Sequence, residues 1–202
     1  MSTAMDEEVL LCGFDSPVDD SGRAFRALLN AMAHPGTVFP VLGPKEHPAL
    51  LSDAASAVLL TLCDYATPVW LGESLDVAEV RSYLRFHTGA PLTDQPARAA
   101  FAVLDKGFEP LGVERFSPGT PDYPDRATTV VVEVERFGEG DLARLSGPGI
   151  ETETTLAVTG LPLSFWEDMQ ANNAEFPLGI DVILTVPGEL CAIPRSILIE
   201  TH

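Results

Sequence analysis

Positive charge is scarce in this chain of 202 residues. Twelve lysines and arginines stand against 30 aspartates and glutamates, and the only lysines are Lys45 and Lys106. A formal net charge of −18 repels a phosphate backbone, so direct nucleic-acid binding is not expected. It also disfavours docking on an anionic membrane. It is compatible with solubility or with a basic protein partner. Cysteine is equally sparse. Cys12, Cys63 and Cys191 are odd in number, far apart and without CxxC spacing. That excludes a disulfide framework and an iron–sulfur motif, and fits buried thiols in a reducing, cytoplasmic setting. No apolar run reaches about 18 residues, so no membrane-spanning helix is expected. The opening MSTAMDEEVL has no basic start followed by an apolar core, so it is not read as a signal peptide.

Chemistry-bearing motifs are missing as well. The histidines are His34, His47, His87 and His202, and none makes HxH or HExxH spacing, so no metal site is expected. No serine sits in a GxSxG elbow, and no GxGxxG or Walker lysine occurs. The segment LSGPGI (Leu145–Ile150) is glycine-rich, but a strand pattern follows it, so a turn is favoured over an anion cradle. Cys63 at a helix end and Cys191 in a strand pattern read as packing residues.

What the chain does have is alternation of helix-period and strand-period segments, with 46% hydrophobic residues. This predicts one α/β domain over residues 1–202, with an irregular lead-in over 1–15. Such a length buries roughly 70% of its unfolded surface, so neither disulfide nor metal is needed to fold it. Ser16-Pro17 starts a helix, with Asp19 and Asp20 in its first turn. Phe25, Leu28, Leu29 and Met32 then mark one apolar face, and Pro35-Gly36 stops the helix. Thr37 to Leu42 reads as an edge strand broken by Pro40. Ser52 caps a helix over Asp53 to Leu62. Pro68 to Leu71 is a short buried strand. A helix capped by Ser74 runs to about Phe86 with Val77, Val80 and Leu84 inward. Further strands are read over Ala100–Leu104, Thr128–Val134 and Thr154–Thr159. Phe108 to Arg126 is a long loop with one helical turn. Leu161-Pro162 opens a helix to about Asn172. Leu178–Val186 and Leu190–Ile193 form a hairpin across Pro187-Gly188, and Ile197–Ile199 extends that edge. The expected architecture is a mixed sheet with helices on both faces.

Five side chains are functional candidates, each with a plainer alternative. Arg26 and His34 belong to the opening helix, whose packing is the alternative for both. Asp64 lies between a helix and a strand and can accept backbone hydrogen bonds there. His87 precedes Gly89 at a helix end, where a C-cap competes with a ligand or subunit contact. Arg195 follows Pro194, where a guanidinium fork can clamp an anion or form an ion pair. No acid–base pair, nucleophile or metal cluster emerges, which favours a protein that works within an assembly.

Six segments, in order, resemble the PhnH family of the bacterial carbon–phosphorus lyase system. They are FRALLNAMAHPGTV (Phe25–Val38), LCDYATPVWL (Leu62–Leu71), FHTGAPL (Phe86–Leu92), LSGPGI, FPLGIDVILT (Phe176–Thr185) and IPRS (Ile193–Ser196). Each is weak alone; the ordered set spans almost the whole chain. The resemblance implies a three-layer α/β/α fold similar to pyridoxal-phosphate-dependent transferases, without their cofactor. A Schiff base needs a lysine, and Lys45 in a Gly-Pro loop and Lys106 in a turn are poorly placed for one. It also implies a homodimer inside a larger complex with PhnG, PhnI and PhnJ proteins. That complex couples an alkylphosphonate to the ribose of ATP and displaces adenine. The expectation is an accessory subunit, inactive alone, with no cofactor. The alternatives are an autonomous small transferase and a phosphonate- or nucleotide-binding protein, the latter with a pocket near His34, His87 and Arg195.

Overall fold

The computed structural model describes residues 11–108 and 112–201. Most of the expected lead-in, the start of the Phe108–Arg126 loop and His202 therefore lie outside the described residues in whole or part. The elements in chain order are α1 (Pro17–Ala33), β1 (Phe39–Pro40), α2 (Asp53–Leu62), β2 (Val69–Leu71), α3 (Ala78–Thr88), β3 (Phe101–Leu104), β4 (Thr129–Glu133), β5 (Arg136–Ser146), β6 (Thr154–Thr159), α4 (Phe165–Ala174), β7 (Asp181–Val186), β8 (Glu189–Ile193) and β9 (Leu198–Thr201).

Six strands form a mixed sheet in the order β1-β8-β7-β4-β3-β2. β2, β3, β4 and β7 run parallel, and the β7–β8 hairpin and β1 supply the antiparallel side. The central strands are buried on both faces, which explains their continuous apolar runs. Alternate residues then divide between two cores. Val103, Val131 and Ile183 face α1, α2 and α3. Ala102, Val132 and Leu184 face the other way, toward Phe165, Trp166 and Met169 of α4.

The second face departs from the expected all-helical layer. Alongside α4 it carries a three-stranded antiparallel sheet, β6-β5-β9. β5 was not predicted. Its first half is exposed and broken by Gly138 and Gly140, and only Ala143 and Leu145 are buried, so its alternation covers four residues. A register shift between Phe137 and Asp141 bends the ribbon. β9 pairs with β5 and not with the β7–β8 hairpin, so the expected extension of that edge by Ile197–Ile199 is corrected.

α1 also differs from its reading. Its buried residues are Ala24, Leu28 and Ala31, while Phe25 is 44% and Leu29 52% exposed. The reason is close approach. α1 packs on α2 and β8, and α2 offers Ala54, Ala55 and Ala57, all fully buried. Alanines on both sides bring the helices together, and the larger side chains turn outward. α2 itself begins as expected: the Ser52 hydroxyl accepts the Ala55 N–H at 3.0 Å. α3 starts at Ala78, four residues after Ser74. Val77 stands at its N-cap, 37% exposed, with no side-chain cap. The helix ends on Gly89 in the left-handed conformation (φ 69°).

Candidate functional site

Strand direction gives the sheet two edges. Most of the motifs quoted above gather at the amino edge, where β2, β3, β4 and β7 begin. Gly36 follows α1, and its N–H reaches the Ala192 carbonyl at 3.2 Å. A side chain on Gly36 would meet Leu145 at 2.7 Å, and one on Gly149 would meet the Ala33 carbonyl at 2.3 Å. The His-Pro-Gly stop and the LSGPGI turn therefore interlock, and both glycines have positive φ. Gly147 packs against Ser196 and Ile197, which brings IPRS to the same junction. The second and third motifs meet nearby. The Val69 N–H reaches the Pro91 carbonyl at 2.9 Å, and the Thr93 N–H reaches Val69.

Four of the five candidate side chains sit in contacts of this framework. His34 is exposed at the C-cap of α1, with Nδ1 3.0 Å from the Asn30 carbonyl. Asp64 forms the turn before β2, where its Oδ1 accepts the Ala66 N–H at 2.8 Å. His87 Nε2 lies 2.9 Å from the Leu11 carbonyl and ties the lead-in to α3. Gly13 is needed at this crossing, because a Cβ there would lie 2.9 Å from the His87 ring. Arg195 pairs with Asp181, both at most 15% exposed, with Nη2 2.5 Å from Oδ2. Its Nη1 donates to the Pro124 carbonyl at 2.6 Å and pins the loop after β3. Arg26 is exposed on α1. His87 and Arg195 line separate cavities with no residue in common, of about 500 Å³ and 360 Å³. The structure therefore does not bring them into one pocket.

The carboxyl edge of the sheet holds what sequence reasoning missed. A cavity of about 920 Å³ lies over the ends of β3, β4 and β7, lined by Lys45, His47, Asp105, Lys106, Glu133 and Glu135, among others. Ligands in open α/β sheets commonly bind at this edge. A second recess of about 550 Å³ adjoins it over β2 and β3, and shares Asp105 and Lys106. Both lysines of the chain thus face this edge. Glu133 is the unusual group, a carboxylate only 6% exposed at the end of β4. Its Oε1 accepts the Ser52 N–H at 2.5 Å. Burial pushes its pKa up, opposed by the Ser52 and Thr185 hydrogen bonds and by Lys106. Asp53 is structural: its Oδ1 accepts N–H groups of Ala54 and Gly188, each at 2.9 Å. Lys45 is paired with Asp15 at 2.5 Å. The sequence signal for this site was weak, because its residues come from four distant turns. The alternation in TTVVVEV, which puts an acid inside a buried strand, was the available clue.

Among the described residues no group of three or more histidine, cysteine, aspartate or glutamate side chains is placed to hold a metal ion. No described helix is long and apolar enough to cross a membrane. Cys63 and Cys191 are buried as expected, and burial pushes both thiols up to about 12, out of the range of reactive thiolates. Cys12 is exposed, against the expectation of a buried thiol.

Fold and site define a mixed α/β protein with a framework-rich amino edge and an open polar cleft at the carboxyl edge. A family model described as bacterial phosphonate metabolism protein (PhnH) matches residues 12–200. A protein of Rhizobium meliloti (strain 1021), the alpha-D-ribose 1-methylphosphonate 5-triphosphate synthase subunit PhnH, is 40% identical over 187 residues, covering 93% of this chain and 94% of the relative. The putative C-P lyase subunit protein HtxG of Stutzerimonas stutzeri is 34% identical over 86% of this chain and 82% of its own length. The chain belongs to the PhnH family.

Proposed function

We propose that this chain is an accessory, non-catalytic subunit of the carbon–phosphorus lyase system, needed for coupling an alkylphosphonate to the ribose of ATP with release of adenine. The observation that carries this reading is the near full-length likeness, over residues 12–200, to a family whose relatives are named as subunits. The local chemistry supports it. The candidates His34, Asp64, His87 and Arg195 are engaged in caps, turns and an ion pair. No described cysteine has a lowered pKa that would make a nucleophile. Homologues of PhnG, PhnI and PhnJ are the proposed partners, and a second copy of this chain the proposed dimer mate.

The test is reconstitution. Purified chain given ATP and methylphosphonate releases no adenine, a mixture with its partner subunits does, and omitting this chain stops the release. Adenine release by the chain alone would overturn the non-catalytic reading.

A further inference from the structure

The carboxyl-edge cleft has two recesses that meet at one wall. Glu133 lines the larger recess and Trp70 the smaller, with Asp105 and Lys106 common to both. In the smaller recess the Arg115 guanidinium lies 5.2 Å from the Trp70 ring centroid. Cations are scarce in the chain as a whole, yet Lys45, Lys106 and Arg115 all face this one edge. Glu133, which lines the larger recess, carries the opposite preference. Glu133 is almost fully buried, and a carboxylate has about four acceptor positions, of which the Ser52 N–H and the Ser52 and Thr185 hydroxyls engage three and leave one for a ligand.

Several competing explanations fail on the same residues. The N-terminus of α2 is already capped by Ser52, and Asp53 is committed to backbone N–H groups, so neither is free for a ligand. Asp105, Glu135 and Glu73 also line the recesses, which disfavours a polyanion. What the cleft matches is a small molecule of two ends: a donor-bearing group for Glu133 and a compact anion for Lys106.

We propose that this cleft binds a small phosphonate or phosphate that carries an ammonium or hydroxyl donor, of the aminoalkylphosphonate type, with the donor on Glu133 and the anion beside Lys106 and Arg115. The choice of a phosphonate as the anion rests on the function proposed above; the pairing of donor and anion rests on the cleft alone. Charge-assisted contacts at both ends give the recognition, and the burial of Glu133 favours a ligand donor that fills the acceptor position its own hydrogen bonds leave over.

Calorimetry on the full chain tests this with 2-aminoethylphosphonate, ethylphosphonate, ethylamine and inorganic phosphate as probes. The first is expected to bind at least about tenfold more tightly than any of the others, the loss of one charge-assisted contact being about that much. Lys106→Ala, at an exposed position, weakens 2-aminoethylphosphonate and ethylphosphonate alike. Glu133→Gln weakens 2-aminoethylphosphonate only, and circular dichroism confirms that both variants are folded. Equal binding of 2-aminoethylphosphonate and ethylphosphonate, unchanged affinity in both variants, or no heat at millimolar probe would each overturn the proposal. If no probe binds but the chain still supports adenine release in the reconstituted mixture, the ligand inference fails and the subunit function stands.

Discussion

Glu133 and Arg195 show how differently a buried and a half-buried charge are handled. Arg195 is held by Asp181 on one side and the Pro124 carbonyl on the other. Removing one partner of such a pair leaves an uncompensated charge, so Arg195→Ala should cost about 3 kcal/mol in urea unfolding. Arg195→Met with Asp181→Leu should cost less than the sum of the single changes. Glu133 has no such ion pair with a described residue, and burial holds its pKa above the ordinary carboxyl value. Between its unfolded and folded pKa the native state keeps a proton that the unfolded chain has released. Stability from this group therefore falls as pH rises through that window. Glu133→Gln keeps an acceptor for the Ser52 N–H and should flatten this part of the pH–stability curve. Its denaturation midpoint at pH 8 should equal or exceed that of the parent. A lower midpoint at pH 8 would mean that the charge itself stabilises the fold. The sequence made Arg195 visible because IPRS is a recognisable segment, and it left Glu133 hidden because one acid in a strand pattern carries no spacing of its own.

Among the elements, helix and strand identity followed from short-range rules. Ser52 capped α2, Gly89 closed α3, and Pro187-Gly188 turned β7 into β8. What was not legible depended on neighbours. α1 carries two apolar faces, and periodicity favours the larger side chains. Only the approach of α2 decides that Ala24, Leu28 and Ala31 go inside. Leu28→Ala should therefore cost about 2–3 kcal/mol, whereas Leu29→Gln, one residue away, should shift stability by no more than about 1 kcal/mol. Equal losses would restore the face read from the sequence. The junction of α1 with the LSGPGI turn makes a sharper prediction. Gly149→Ala puts a methyl against the Ala33 carbonyl at a positive φ. It should cost about 2 kcal/mol or more, while Gly107→Ala, also at positive φ but with open space around it, pays only the backbone part. Thermal unfolding of the two variants compares them directly.

At the scale of the molecule, the acidic balance and the placement of the motifs bear on one question. The segments that identify the family mostly build the amino edge and its interlocking turns, so they mark how the chain folds more than what it reacts with. The polar cleft lies at the opposite edge, assembled from distant loops, and no single-sequence pattern could bring it together. The proposed function places this chain in an assembly of the phosphonate-processing system. Co-expression with PhnG, PhnI and PhnJ homologues, the proposed partners, followed by tagged purification and size-exclusion chromatography, is the decisive measurement. This chain is expected to elute in the large complex in fixed proportion to the other subunits. A complex that forms and releases adenine at full rate without it, while this chain elutes separately, would show that the chain is not a subunit.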